Sequence, residues 1–211
     1  MKKRNPKVTT PKGIAVWPWL NEPDRKFNAE GDYKVNLQLA QEDAQDFMEQ
    51  LKSILQDHYK ATCEAQGKTK LKKAPLPVIE VEDDEGNETG DVQIKFKLKA
   101  QYTYDGKTIS QRPVLMDAKR QPMTEKIGGG STIRVGCEVY PYYTATIGVG
   151  LSLRCKVVQV LELKEFSAGA GGFDFNEEDG FEAVSDSMAN AATDTATDTT
   201  TDDLVSDDDF I

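Results

Sequence analysis

A chain of 211 residues with a formal charge of −10 has room for one domain of roughly 150 residues and an appendage. No run approaches the roughly 18 apolar residues of a membrane span, and Met1-Lys2-Lys3-Arg4 is followed by Asn5-Pro6-Lys7 instead of the apolar stretch of a secretion signal. Cys63, Cys137 and Cys155 include no Cys-x-x-Cys pair, so neither a disulfide framework nor a thiolate metal site is implied, and a protein of the reducing cytoplasm without cofactors is expected.

Val8 to Leu20 mixes β-branched and aromatic residues and predicts an opening strand interrupted by Pro11 and Pro18. Tyr33, Val35, Leu37 and Leu39 alternate with polar residues as in a half-buried strand. From Gln41 to Gln66 the period lengthens: Ala44, Phe47, Met48, Leu51, Leu55, His58, Tyr59, Thr62 and Cys63 fall on one helical face, acids fill the first turn and Gly67 closes the helix. The basic run 68–77 and the acidic run Glu80 to Asp91 read as excursions from the core. Val92 to Tyr104 alternates again, Asp105-Gly106 predicts a hairpin into Lys107 to Met116, and Ile133 to Val139 forms a further strand. Thr146 to Leu163 predicts a long strand with a bulge at Val157-Val158.

Five or six strands and one long amphipathic helix within residues 1–166 predict a mainly β fold, most economically an OB-type five-stranded antiparallel barrel. Residues 167–211 are Gly/Ala-rich, then Thr/Asp-rich, a composition that cannot offset ordering entropy and predicts a disordered tail. The charge divides at the same place. All 26 Lys and Arg lie at or before Lys164, whereas residues 167–211 hold 13 acids and no base. The 26 bases against 23 acids of residues 1–166 leave a body of +3, and seven of those acids sit in Glu80 to Asp91. The chain is a basic body with an acidic arm.

Catalysis finds few candidates. His58, the single histidine, occupies the apolar helix face and reads as a packing residue. Ile127-Gly128-Gly129-Gly130-Ser131 lacks the Gly-Lys-Ser/Thr ending of a phosphate loop, and Gly148-x-Gly150 lacks the third glycine of a dinucleotide fingerprint. No enzyme is expected. Binding of single-stranded nucleic acid needs cations to track phosphates and aromatic faces on which unstacked bases rest. Trp17, Trp19, Tyr102, Tyr104, Tyr140, Tyr142 and Tyr143 supply the faces, and Lys95, Lys97, Lys99, Arg112, Arg134 and Arg154 the cations. The three strand lysines fit phosphate tracking and equally the solvated face of an edge-like strand. Tyr140-Pro141-Tyr142-Tyr143 reads as a loop whose tyrosines favour stacking. Lys2, Lys3 and Arg4 fit a phosphate clamp or a solvated end. Asp207-Asp208-Asp209-Phe210-Ile211 sets an apolar tip on an acidic string, the pattern of an anchor for a basic-rimmed hydrophobic pocket on a partner.

Taken in order, Gly31-Asp-Tyr33-Lys34-Val35-Asn-Leu37, Ile94-Lys95-Phe96-Lys97, Ile127-Gly128-Gly129-Gly130-Ser131, Pro141-Tyr142 with Thr146-Ile147-Gly148, and Leu161-Glu162-Leu163 before a Gly-rich linker resemble the single-stranded-DNA-binding proteins of short-tailed bacteriophages. The resemblance implies an OB-fold core with an acidic tail, and a role in phage DNA replication, recombination and repair in the host cytoplasm. It also implies a homodimer, and contacts with replicative DNA polymerase and helicase-primase through the tail. Tyr142 matches an aromatic of the family's DNA-binding loop and Phe210 its terminal phenylalanine. The sequence departs from the family in having Glu30 before Gly31, with Arg25 and Lys26 nearby, and Ile211 after Phe210. A rival reading of the same composition is an acidic-tailed interaction adaptor or chaperone.

Overall fold

The structure, a computed structural model, describes residues 4–165. Lys3 and the whole arm, with Asp207, Asp208, Asp209 and Phe210, lie outside the described residues. Alternation of apolar and polar residues produces strands β1 (Lys7–Thr9), β2 (Gly13–Asp24), β3 (Asp32–Ala40), β4 (Val78–Glu82), β5 (Glu88–Lys99), β6 (Gln101–Tyr104), β7 (Lys107–Ser110), β8 (Val114–Met116), β9 (Thr132–Thr144) and β10 (Gly148–Glu162). The longer period produces α1 (Gln41–Ala65). Glu42 and Asp43 face the positive end of its dipole. The helix stops in a Schellman arrangement, Lys68 N–H donating to Cys63 O and Gly67 N–H to Glu64 O, with Gly67 at φ 60°.

The inward faces of the strands and the apolar stripe of α1 share one core. Val35, Leu37, Ile94, Phe96, Ile133, Val135, Val139 and Leu153 meet Ala44, Phe47, Leu51 and Leu55 there. Burying each of the larger of these side chains is worth about 1.5–3 kcal/mol.

The fold is mainly β with one helix, as expected, but the sheet is not closed into a five-stranded barrel. Its hydrogen-bonded path runs β4-β5-β3-β2-β9-β10-β8, with β1 on β9 and β6-β7 apart as a hairpin. Closure would need β5 against β10. Instead β4 takes the free edge of β5 between Glu88 and Ile94, and β8 lies parallel on β10 at Val157–Gln159.

Four local expectations change for physical reasons. Pro18 lies inside β2 and not at a break, because a register shift between Val16 and Trp19 leaves its missing N–H outside the ladder. The acidic run is a hairpin arm: Asp83 caps its turn by accepting from the N–H groups of Glu85 and Asn87. The basic run is pinned to the body, Ala74 N–H donating to Val149 O, Val149 N–H to Lys72 O, and Tyr59 Oη bridging both main-chain groups of Leu71. Tyr140 to Tyr143 is not a loop. These residues extend β9 in register with Ser152 to Val149 of β10. A bulge is present but lies just ahead of the expected Val157-Val158, Lys156 being the extra residue between Cys155 and Val157.

Candidate nucleic-acid interface

Residues directly opposite on neighbouring strands point to the same face of a sheet. On β5, Lys95, Lys97 and Lys99 alternate with buried Ile94, Phe96 and Leu98 and point outward. On β10, Ser152 and Arg154 alternate with buried Leu151, Leu153 and Cys155 in the same way. Between these rows lies a cavity of about 300 Å³ lined by Lys97, Lys99, Tyr102, Gln111, Ser152 and Arg154. The Arg154 guanidinium sits 3.7 Å from the centroid of the Tyr140 ring, a cation–π contact. Tyr140 is 39% exposed and Tyr102 39% exposed, so both rings stay partly open to solvent beside the cations.

An acid tempers the groove. Asp32, nearly buried, pairs its Oδ2 with Lys97 Nζ at 2.8 Å. Its Oδ1 is buried without a hydrogen-bond partner among the described residues. On the adjoining row Lys34 pairs with Asp24. That ion-paired hydrogen bond, with a second from the Lys26 N–H, holds the Asp24 carboxyl below its usual range. A second cavity of about 360 Å³ shares Gln111 and collects Arg25, Arg112, Glu30 and Tyr33. Basic surface therefore continues from Arg154 past Gln111 to Arg112.

The expected site residues are only partly brought together. Lys97, Lys99, Tyr102 and Tyr140 converge. Lys95 is exposed on the same strand beyond Lys97. Arg112 belongs to the adjoining cavity. Arg134 is exposed on the face of β9 that carries Tyr140, but six residues back, roughly 20 Å at strand rise. Arg4 is exposed ahead of β1. Tyr143 turns inward and packs against the core. Tyr142 lies over Gly150: a Cβ built there would fall 2.4 Å from its Oη. The Tyr142 main-chain carbonyl accepts from His58 Nε2 at 3.2 Å, tying α1 to the β9–β10 hairpin. His58 is thus the packing residue that its helical position predicts. Ser152, Gln111 and Asp32 escaped the sequence reading, although Ser152-Leu153-Arg154 carries the alternation that places Ser152 beside Arg154.

The glycine run Ile127 to Ser131 latches the end of β10. Gly128 N–H donates to Lys164 O, and Ser131 Oγ accepts from Lys164 N–H at 3.0 Å.

A family model described as single-stranded DNA-binding protein, bacteriophage T7, matches residues 13–163. The crystal structure of the single-stranded DNA-binding protein encoded by bacteriophage T7 superposes with a TM-score of 0.65 at 24% identity, covering 85% of this chain and 100% of that one. The single-stranded DNA-binding protein of bacteriophage Enc34, solved in complex with single-stranded DNA, gives a TM-score of 0.54 at 14% identity over 76% of this chain and 89% of that one. Another structure of the Enc34 single-stranded DNA-binding protein gives 0.53 at 16%, over 80% and 87%. At these identities the likeness to the solved structures is one of fold. No curated protein matches the sequence.

Proposed function

Because the chain belongs to the family of single-stranded DNA-binding proteins typified by that of bacteriophage T7, we propose that it binds single-stranded DNA without sequence preference along the groove between β5 and β10. The observation that carries this reading is the Arg154 guanidinium held over Tyr140 at the rim of the cavity containing Lys97, Lys99 and Tyr102. Phosphates track Lys97, Lys99 and Arg154, and bases stack on Tyr102 and Tyr140. Lys95, Arg112 and Arg134 extend the cationic path, with Lys3 and Arg4 as a clamp ahead of β1. Tyr142 and Tyr143 act by holding the hairpin that presents Tyr140. The function is binding, with no chemical step.

The body 1–166 does this work, and the acidic arm 167–211 competes with DNA for the groove. A tethered arm carrying 13 acids and no base sits at high effective concentration beside basic surface. Through Asp207, Asp208, Asp209 and Phe210 the arm also recruits replicative polymerase and helicase-primase during phage replication, recombination and repair. A homodimer, each arm in its partner's groove, fits the same charges. The setting is the host cytoplasm.

Oligonucleotide titration of the full chain and of residues 1–166 across a salt series tests this. Log affinity falls with log salt at about −0.7 per neutralised phosphate, and the shortened chain binds more tightly at low salt. Absence of a salt slope overturns DNA binding. Equal affinities overturn competition by the arm.

A further inference from the structure

We propose that Trp17 and Trp19 form a second stacking platform, which takes bases of the same DNA strand where it leaves the Lys97–Arg154 groove across β3 and β2. The inference rests on the DNA-binding reading above and extends its path. Three observations carry it. Trp17 is 77% exposed and Trp19 45%, and with Leu20, Ile127 and the rim pair Lys126–Glu22 they line an open, largely apolar cavity of about 490 Å³. Second, Trp17 sits at φ 51°, a region that bulky residues rarely occupy. It does so at the register shift of β2, where an extra residue re-aims a side chain. A strained backbone that turns a large aromatic ring toward solvent is a mark of a functional position.

Third, the platform is continuous with the groove. Trp19 is in register with Lys34, and Lys34 with Lys97, so indole, lysine and groove lysine form one row on one face. The polar groups beside the indoles are already engaged: Asn21 Nδ2 donates to Thr124 O and Glu125 O, and its Oδ1 accepts from Ile127 N–H. What is left open is aromatic surface without a hydrogen-bonding code. That suits a ligand recognised through its π-face whatever its sequence, as an unstacked base is.

The chain has two tryptophans, both in this platform, so tryptophan emission reads it alone while the groove itself holds tyrosines. The full chain is titrated with an oligothymidylate longer than about 16 nucleotides, the upper site size of one such fold, carrying a dye for anisotropy. Expected are quenched tryptophan emission at saturation and an affinity at least about fivefold weaker in Trp17→Ala. Trp17→Phe, which keeps an aromatic face, restores most of it. Anisotropy that reports binding while emission and Trp17→Ala affinity stay unchanged overturns the platform and leaves the groove standing. Absence of any binding overturns both. Emission that responds to protein concentration, or to removal of residues 167–211, and not to DNA assigns the indoles to a second copy or to the arm and likewise overturns the proposal.

Discussion

Asp32 opposes the proposed function at the scale of one residue. It engages Lys97 at 2.8 Å, so a phosphate must displace a carboxylate before it can use that lysine. Asp32→Asn releases the lysine. Its expected outcome is tighter oligonucleotide binding at low salt, with a log–log salt slope steeper by about 0.7, one more neutralised phosphate. Asp24 offers a test of the ion pair itself. Its carboxyl is held below the usual 3.8 of an aspartate by Lys34 and by the Lys26 N–H, so the stability it contributes is present above that value and is lost as pH falls through the lower folded-state value. The stability difference between the wild type and Lys34→Met, followed by denaturant melts at several pH values, shrinks as pH drops below about 3.8. The thiols separate by burial. Cys137 and Cys155 are buried register partners whose thiols are pushed up to about 12 by desolvation, while Cys63 is half-buried on α1. An aromatic disulfide reagent at pH 8 is expected to titrate Cys63 in the folded protein and all three cysteines in denaturant.

Among the elements, the glycine run shows how a motif can mislead when read for chemistry. Gly128-Gly129-Gly130-Ser131 resembles a phosphate cradle in composition, yet a Cβ on Gly128 would meet Lys164 O at 2.6 Å and Glu165 O at 2.7 Å. Close backbone approach, and not a ligand, demands the glycine. Gly128→Ala is expected to lower unfolding free energy by about 1–3 kcal/mol, the usual cost of overpacking. Gly129→Ala, with open space around its Cβ position, stays near the wild type in the same melt. Periodicity made most elements legible, and α1 ends within one residue of its expected end because the apolar stripe and Gly67 are both local signals. The breaks were harder to see. Alternation runs on through Ala100, but β5 stops at Lys99 and β6 starts a separate hairpin, since Ala100 N–H donates to Gly31 O and Gln111 N–H to Ala100 O. Those partners are distant in sequence. Tyr140 to Tyr143 reads as a loop in the sequence because three aromatics around a proline look unburiable, whereas the strand divides them, Tyr143 inward and Tyr140 outward. The lysines and Tyr102 could be named from sequence. Their convergence with Ser152 and Arg154 depends on curvature that brings β5 near β10, which no local pattern encodes.

For the whole molecule, −10 is a sum over two unlike parts, and only the basic body carries the groove. The arm's effect should therefore be electrostatic in character. Removal of residues 167–211 is expected to raise oligonucleotide affinity most at low salt, and the gain to fade as ionic strength shortens the Debye length from about 10 Å at 0.1 M to about 3 Å at 1 M. A gain that persists at 1 M salt would point to the apolar tip as the competing element. The failure of the sheet to close has a further consequence. An open sheet has two ends, and where two copies meet, such ends are the edges that can template pairing between chains. Here one end is β4, which displays Glu80 and Glu82, and the other is β8, three residues long and parallel to its neighbour. Like charges meet at the first edge, and the second is too short to seed a ladder. Two copies set edge to edge therefore gain little pairing at either end.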